Sequence, residues 1–279
     1  MKCIFNGQLR DQEEVSFPID DIALLRGYGI FDFFRLSDGV PLFMEDHLDR
    51  FYKGAELARL TSPVSRDELK RLLFEMFEQN RMEVSGIRIV LTGGNGNGAY
   101  AVGKPNLIVT QEPISFPTDE MFAHGVKLIT HEYLRDLPEV KTINYMTGIW
   151  LQQQIRENDA FDVLYIHKGE VHELTRSNIF IVNNEGELIT PTEKVLHGVT
   201  RKRLINAIGN VQQRNISVDE LTNAREVFIT GTTKKVLPIH AIDQWTYQSA
   251  KEGSKTNEVM KVFAQIEKDY VSSNLVNLK

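Results

Sequence analysis

Cysteine is nearly absent from this 279-residue chain. Cys3 is the only one, so no internal disulfide can form and a reducing compartment is expected. Its apolar neighbours suggest a small buried hydrophobe. No run approaches the ~20 consecutive apolar residues that a bilayer crossing requires. The opening residues, Met-Lys-Cys-Ile-Phe-Asn-Gly, reach a turn before any stretch long enough for a signal peptide, and the cytoplasm is the expected location. Basic residues are not in excess: 32 Lys and Arg stand against 38 Asp and Glu, which argues against a nucleic-acid partner. The seven histidines are scattered without metal-ligand spacing, so no metal is expected. Low-complexity tracts and internal repeats are lacking too. What is present, 42% hydrophobic and 25% charged residues, suits one large or two smaller globular domains with a full core.

Periodicity and turn chemistry divide the chain. Asn6-Gly7, between short apolar runs, is a two-residue hairpin signal. Gly39-Val40-Pro41 marks a turn after the apolar run 30–36. Asp46 reads as the N-cap of a helix to about Leu60, which Thr61-Ser62-Pro63 stops, and a second amphipathic helix spans 65–80. Segments 87–91 and 107–110 look like buried strands around a glycine-rich loop. Pro113 and Pro117 break a non-periodic stretch that reads as a linker. Beyond it come a strand at 126–133, a helix at 144–157, hairpins turning at Lys168-Gly169 and Asn184-Glu185-Gly186, a helix at 200–209 and a strand at 227–229. A C-terminal helix carries Val259, Met260, Val262, Phe263 and Ile266 on one face. The boundaries are 1–112 for a small N-terminal domain, 113–121 for the linker and 122–279 for a larger domain, both domains mixing α and β with much antiparallel pairing.

Singly, the polar residues say little. A lysine after Pro-Glu-Val, at Lys141, is usually a solvated charge, and Glu173 on a strand is usually a surface carboxylate. Gly93-Gly94-Asn95-Gly96-Asn97-Gly98 lacks the Gly-Lys-Ser/Thr ending of a phosphate loop and the spacing of a dinucleotide fingerprint. It reads as a loop over an active site or a plain hairpin tip. Order changes the weighing. Lys141-Thr-Ile-Asn-Tyr145 is followed by Glu173-Leu-Thr-Arg-Ser-Asn-Ile-Phe180, then by Leu196-His-Gly-Val-Thr-Arg201, then by Thr230-Gly-Thr-Thr233. Upstream stand Arg26-Gly-Tyr-Gly-Ile-Phe-Asp32 and His47-Leu-Asp-Arg-Phe51.

In this order the chain resembles, over nearly its whole length, the class IV aminotransferases. These are the fold-type-IV pyridoxal-phosphate enzymes, which include branched-chain aminotransferases, D-amino-acid aminotransferases and aminodeoxychorismate lyase. The resemblance implies an α+β (mixed α/β) two-domain fold whose larger, cofactor-binding domain has a β-barrel-like core. It implies pyridoxal 5′-phosphate as cofactor, with Lys141 as the residue that bonds to it and later moves a proton. Glu173 takes the place of the carboxylate beside the pyridine nitrogen, and Tyr145 that of a donor to the ring's phenolic oxygen. Leu196 would lie against the ring face. For the phosphate, Gly198-Val199-Thr200 opens a helix whose N-terminus favours an anion, Thr232 offers a hydroxyl and an amide, and Arg50 supplies the cation.

For the substrate, Tyr28 and Phe31 are expected to line a pocket. Thr233 is a candidate substrate contact, and Arg35 and Arg88 are candidates for carboxylate contacts, though both could equally be packing arginines. The loop 93–103 lacks the arginine and histidine of D-amino-acid aminotransferases, and Phe31 replaces their tyrosine. Gly86 stands where branched-chain enzymes have a tyrosine. The favoured reaction moves an amino group between an aliphatic, branched-chain amino acid and a 2-oxo acid such as 2-oxoglutarate. A pyruvate-releasing aminodeoxychorismate lyase is the alternative, since Lys-x-x-Asn and the glycine-rich loop before Tyr100 also resemble that branch, and a D-amino-acid aminotransferase is a further one. A non-catalytic relative is disfavoured by the intact Lys141, Glu173 and Arg50. The resemblance further implies a homodimer or higher homo-oligomer, with the 93–103 loop completing a neighbour's site.

Overall fold

In the computed structural model, which describes residues 1–98 and 100–275, the chain divides into two units. The first comprises Met1–Ile114, Val140–Asn144 and the C-terminal stretch from Asp269; the second comprises Ser115–Glu139 and Tyr145–Lys268. The five residues around Lys141 therefore group with the first unit, whereas the linear boundaries assign them to the second.

The first unit holds a six-stranded sheet of β1 (Lys2–Phe5), β2 (Gln8–Asp11), β3 (Gly29–Ser37), β4 (Val40–Pro41), β5 (Ser85–Thr92) and β6 (Leu107–Glu112), in the order β2-β1-β6-β5-β3-β4. Its helices are α1 (Ile22–Arg26), α2 (Met44–Leu57) and α3 (Arg66–Asn80). Asn6 and Gly7 form the expected β1–β2 turn, with φ of 49° and 80°, which suits a tight hairpin. Ser65 caps α3 through a hydrogen bond from the Glu68 amide, as its residue type suggests. One face of the sheet carries Ile4, Ile30, Phe34, Leu36, Ile87, Ile89, Leu91, Leu107 and Val109, which pack with Leu48, Phe51, Leu69, Leu73 and Met76 of α2 and α3.

Two expectations fail here for local reasons. The β3–β4 turn is made by Asp38 and Gly39, both with positive φ, while Val40 and Pro41 pair back onto Ser37 and Leu36. Helix α2 begins at Met44 after a left-handed Phe43 (φ 55°) and ends at Leu57, so Asp46 sits inside the first turn. There its charge faces the positive end of the helix dipole.

The second unit contains β7 (Val126–Glu132), β8 (Asp162–His167), β9 (Glu170–Leu174), β10 (Asn178–Val182), β11 (Leu188–Thr190), β12 (Val211–Gln213), β13 (Ile216–Ser217), β14 (Glu226–Gly231), β15 (Lys235–Ile242) and β16 (Trp245–Thr246). Pairing runs β10-β14-β15-β7-β8-β9, and β9 returns to β10 through Glu173 opposite Asn178, which closes a six-stranded barrel. Strands β7–β8 and β15–β7 pair in parallel and the rest of the ring antiparallel. The Lys168-Gly169 and 184–186 hairpins form as expected. Leu128, Leu164, Leu174, Ile179, Ile181, Val227, Ile229, Leu237 and Ile239 fill this core. Outside it lie α4 (Asp119–His124), α5 (Met146–Trp150), α6 (Gln152–Glu157), α7 (Val199–Ile208), α8 (Val218–Thr222) and α9 (Lys255–Leu275). The single helix expected over 144–157 is two, broken at Leu151, whose ψ of −6° is too shallow for an α-helix. In α9, Val259 and Phe263 are buried while Val262 is exposed. Among the described residues no helix is long and apolar enough to cross a membrane.

Candidate active site

The first unit carries Lys141, Arg50, Tyr28, Phe31, Arg35 and Arg88. The segment 140–144 adds to the edge of β3: the Phe31 amide donates to the Lys141 carbonyl at 2.9 Å and the Ile143 amide to the Gly29 carbonyl at 3.1 Å. Lys141 Nζ lies 4.4 Å from the centre of the Phe31 ring. Odd positions of β3 and even positions of β5 share the sheet face opposite the helices. This face brings Phe31, Phe33 and Arg88 together, with the Arg88 guanidinium 5.7 Å and 5.2 Å from the two ring centres. Arg88 also donates to Glu112 at 2.5 Å, so its charge is already opposed by a carboxylate. Arg35 is 5% exposed, buried beyond what a surface arginine tolerates without partners. Tyr28 is half-buried and donates through its hydroxyl to the Ala58 carbonyl at 2.7 Å.

The base of the glycine-rich loop is pinned by buried Asp21, which accepts from the Thr92 hydroxyl at 2.6 Å and from Asn106 Nδ2 at 2.8 Å. The loop presents Tyr100, 89% exposed; Ala99 lies outside the described residues.

The second unit carries Glu173, Leu196, Gly198, Val199, Thr200, Thr232, Thr233 and Tyr145. Glu173 is 5% exposed at the point where the barrel closes. Its Oε1 accepts from Arg135 Nε at 2.8 Å, and its Oε2 from the Leu196 amide at 2.9 Å. Arg135 also donates to the Pro138 carbonyl. On its other side the Leu196 peptide accepts from Asn178 Nδ2 at 2.7 Å, so this backbone is held from both directions. Two residues on, Gly198 is the N-cap of α7 and makes no side-chain cap hydrogen bond. The first amides of α7 thus lack intrahelical partners and carry the positive end of its dipole. A Cβ on Gly198 would collide with Asn178 Oδ1, which explains why glycine stands there. Val199 and Thr200 are buried behind it. Thr232 and Thr233 occupy the β14–β15 turn, half-buried, and Tyr145 is half-buried at the N-cap of α5.

Sequence reasoning missed four residues of this arrangement. Asp32 and His47 contact Arg50, and Arg135 and Asn178 hold Glu173 and Leu196. Asp32, His47 and Asn178 stand within the quoted motifs without a role assigned there, and Asp32 gave a further signal, a carboxylate in the middle of the apolar run Ile30–Phe34.

Lys234, next to Thr233, was also passed over. It is 8% exposed, and burial pulls its ammonium down to about 8, with the Arg176 charge adding to the shift and Asp162 opposing it. The unfolded chain binds that proton more tightly, so stability should rise between pH 8 and the ordinary lysine range near 10.5. Lys234→Met is expected to stabilise the protein at pH 7 by up to roughly 3 kcal/mol and to flatten that alkaline rise. Denaturant melts at pH 7 and pH 10 check this; equal stability of the two proteins at pH 7 would refute it.

Comparison with known proteins gives the family. Residues 29–242 match the model described as amino-transferase class IV, and the chain belongs to that family. A D-alanine aminotransferase of Bacillus licheniformis is 30% identical over 93% of this chain and 94% of its own length. A putative branched-chain-amino-acid aminotransferase of Methanocaldococcus jannaschii is 30% identical over 95% of this chain and 96% of its own. Among solved structures, the branched-chain aminotransferase of Thermoproteus uzoniensis with norvaline superposes with a TM-score of 0.86 at 23% identity, covering 98% of this chain and 97% of that one. Class IV aminotransferases are pyridoxal-phosphate enzymes, and this chain is an enzyme of that type. Each unit taken by itself has residues that fit the group: in the second a buried carboxylate and an uncapped helix N-terminus opened by a glycine with no room for a side chain, in the first a lysine amine against an aromatic ring.

Proposed function

We propose that this enzyme moves an amino group between an aliphatic, branched-chain amino acid and a 2-oxo acid such as 2-oxoglutarate. The observation that carries the substrate class is the Lys141 amine seated against Phe31, on a sheet face where Phe33 also lies. Apolar walls at the reacting amine favour a hydrocarbon side chain, each methylene adding about 1 kcal/mol of discrimination.

Bound pyridoxal phosphate supplies an aldehyde and an electron-accepting ring. Lys141 would hold that aldehyde through its amine, with loss of water, and once displaced by the substrate's amine it would carry the substrate's α-proton. Glu173, held in place by Arg135 and the Leu196 amide, would keep a proton on the ring nitrogen by its charge. Tyr145 would be a hydrogen-bond donor to the group and Leu196 an apolar contact for its ring. Gly198, Val199, Thr200, Thr232 and Arg50 bind the phosphate. Tyr28, Phe31, Arg35, Arg88 and Thr233 meet the substrate.

Purified enzyme given leucine, isoleucine or valine with 2-oxoglutarate should form glutamate. D-alanine belongs in the same panel, because the Bacillus relative carries that name. Turnover with D-alanine alone would replace the branched-chain reading, and pyruvate release from aminodeoxychorismate without glutamate formation would replace transamination itself.

We further place the enzyme in the cytoplasm, as a homodimer. Its one cysteine is buried and free, which suits a reducing compartment, and cell fractionation tests the location. Tyr100 and Val102 are exposed apolar side chains of the glycine-rich loop that a second copy would cover. A fully active monomer in sedimentation would refute the dimer.

A further inference from the structure

Asp32 is fully buried, on the β3 face that also carries Ile30, Phe34 and Leu36. A carboxylate survives there only with its charge answered in place. Four donors do so. Arg50 Nε reaches Oδ2 at 2.7 Å and Arg50 Nη2 reaches Oδ1 at 2.8 Å, a two-pronged grip on one edge of the guanidinium. His47 Nδ1 lies 2.7 Å from Oδ1, and the Phe33 amide donates to the same oxygen at 2.7 Å. Burial would raise the Asp32 carboxyl, but the Arg50 charge and the hydrogen bonds from Arg50 and His47 outweigh it and hold it well below the usual range. Burial pulls the His47 imidazole down, with Asp32 opposing, so its role is that of a neutral ring donating from Nδ1.

The adjoining residue faces the other way. Phe31 presents its ring to Lys141 Nζ and its amide to the Lys141 carbonyl. Side chains of consecutive strand residues point to opposite faces and their Cα atoms are about 3.8 Å apart, so two neighbouring residues of one strand hold both lysine and arginine.

We propose that Asp32, supported by His47, is the positioning residue for Arg50, and that β3 thereby fixes the spacing between the Lys141 amine and the Arg50 guanidinium. The inference rests on reading Arg50 as the cation that binds the cofactor phosphate. An arginine side chain has many rotamers, and a fork held on one edge by a carboxylate has its orientation set before an anion arrives.

The test compares affinities of the cofactor-free protein for pyridoxal 5′-phosphate and for pyridoxal, whose ratio reads the phosphate contact alone. Asp32→Asn is expected to cut that ratio by about tenfold, with pyridoxal affinity little changed, and His47→Asn by a smaller factor. Asp32→Glu, which keeps the charge, should restore part of the ratio. An unchanged ratio in folded Asp32→Asn overturns the proposal, as does an equal loss of affinity for both ligands, which would mark a general disturbance. Should Asp32→Asn not fold, an unchanged ratio in His47→Asn overturns it instead. Arg50→Ala separates the two levels: if it too leaves the ratio intact, the phosphate reading of Arg50 has failed. If it alone lowers the ratio, only the positioning has failed.

Discussion

Lys141→Ala is expected to fold normally and to lose turnover by on the order of 10⁴-fold or more. Folding should survive because the links between this segment and β3 are backbone hydrogen bonds, which alanine keeps. Turnover should not, because in the proposed function the amine is both the attachment point of the cofactor and the group that moves the proton. Borohydride treatment followed by mass spectrometry checks the first role directly, since wild-type protein should carry a pyridoxyl group on Lys141 and the variant none. Lys234 is the informative competitor. Its ammonium, pulled down to about 8, makes it more nucleophilic at neutral pH than an ordinary surface lysine. A pyridoxyl group on Lys234 in the wild type would overturn the assignment.

Glu173→Gln should retain cofactor and slow catalysis by roughly 10²–10³-fold, the scale for removing one preorganised charge-stabilising group. The amide can still accept from Leu196, but it no longer holds a proton on the ring nitrogen by charge. It also leaves Arg135, whose side chain is 17% exposed, facing a neutral group. Some loss of thermal stability should therefore accompany the loss of rate. Glu173→Lys would set two cations together and should do worse on both counts. Wild-type rates in Glu173→Gln would end this assignment.

What could be read from the sequence was local. Asn6-Gly7, Lys168-Gly169 and Ser65 announce their turns and cap because the chemistry that forms them lies within a few residues. Phe43 did not announce itself, because an aromatic residue with positive φ is set by packing; its ring meets Tyr270 edge-on, 4.7 Å between centres. The assignments of Lys141, Glu173 and the two phosphate turns came from the order of their motifs. Their supports were not legible that way. Arg135 sits in an aperiodic loop and finds Glu173 only once β9 is in place, and Asn178 finds Leu196 across eighteen positions. The grip of Asp32 on Arg50 needs strand alternation to meet helical spacing, which neither period shows alone.

The chain passes from one unit to the other at 114/115, 139/140, 144/145 and 268/269. Ending the protein at Glu112 would therefore not yield a free-standing N-terminal domain. Such a fragment would lack Lys141, leave the edge of β3 at Gly29–Phe31 uncovered, and lose the Tyr270 ring that meets Phe43. For the same reason a protease nick at the 114/115 junction alone would leave three further covalent connections between the units, and the nicked protein should stay associated. In evolutionary terms neither half could be exchanged with an unrelated protein by one recombination event: the stretch that carries Lys141 is encoded within one half and folds with the other.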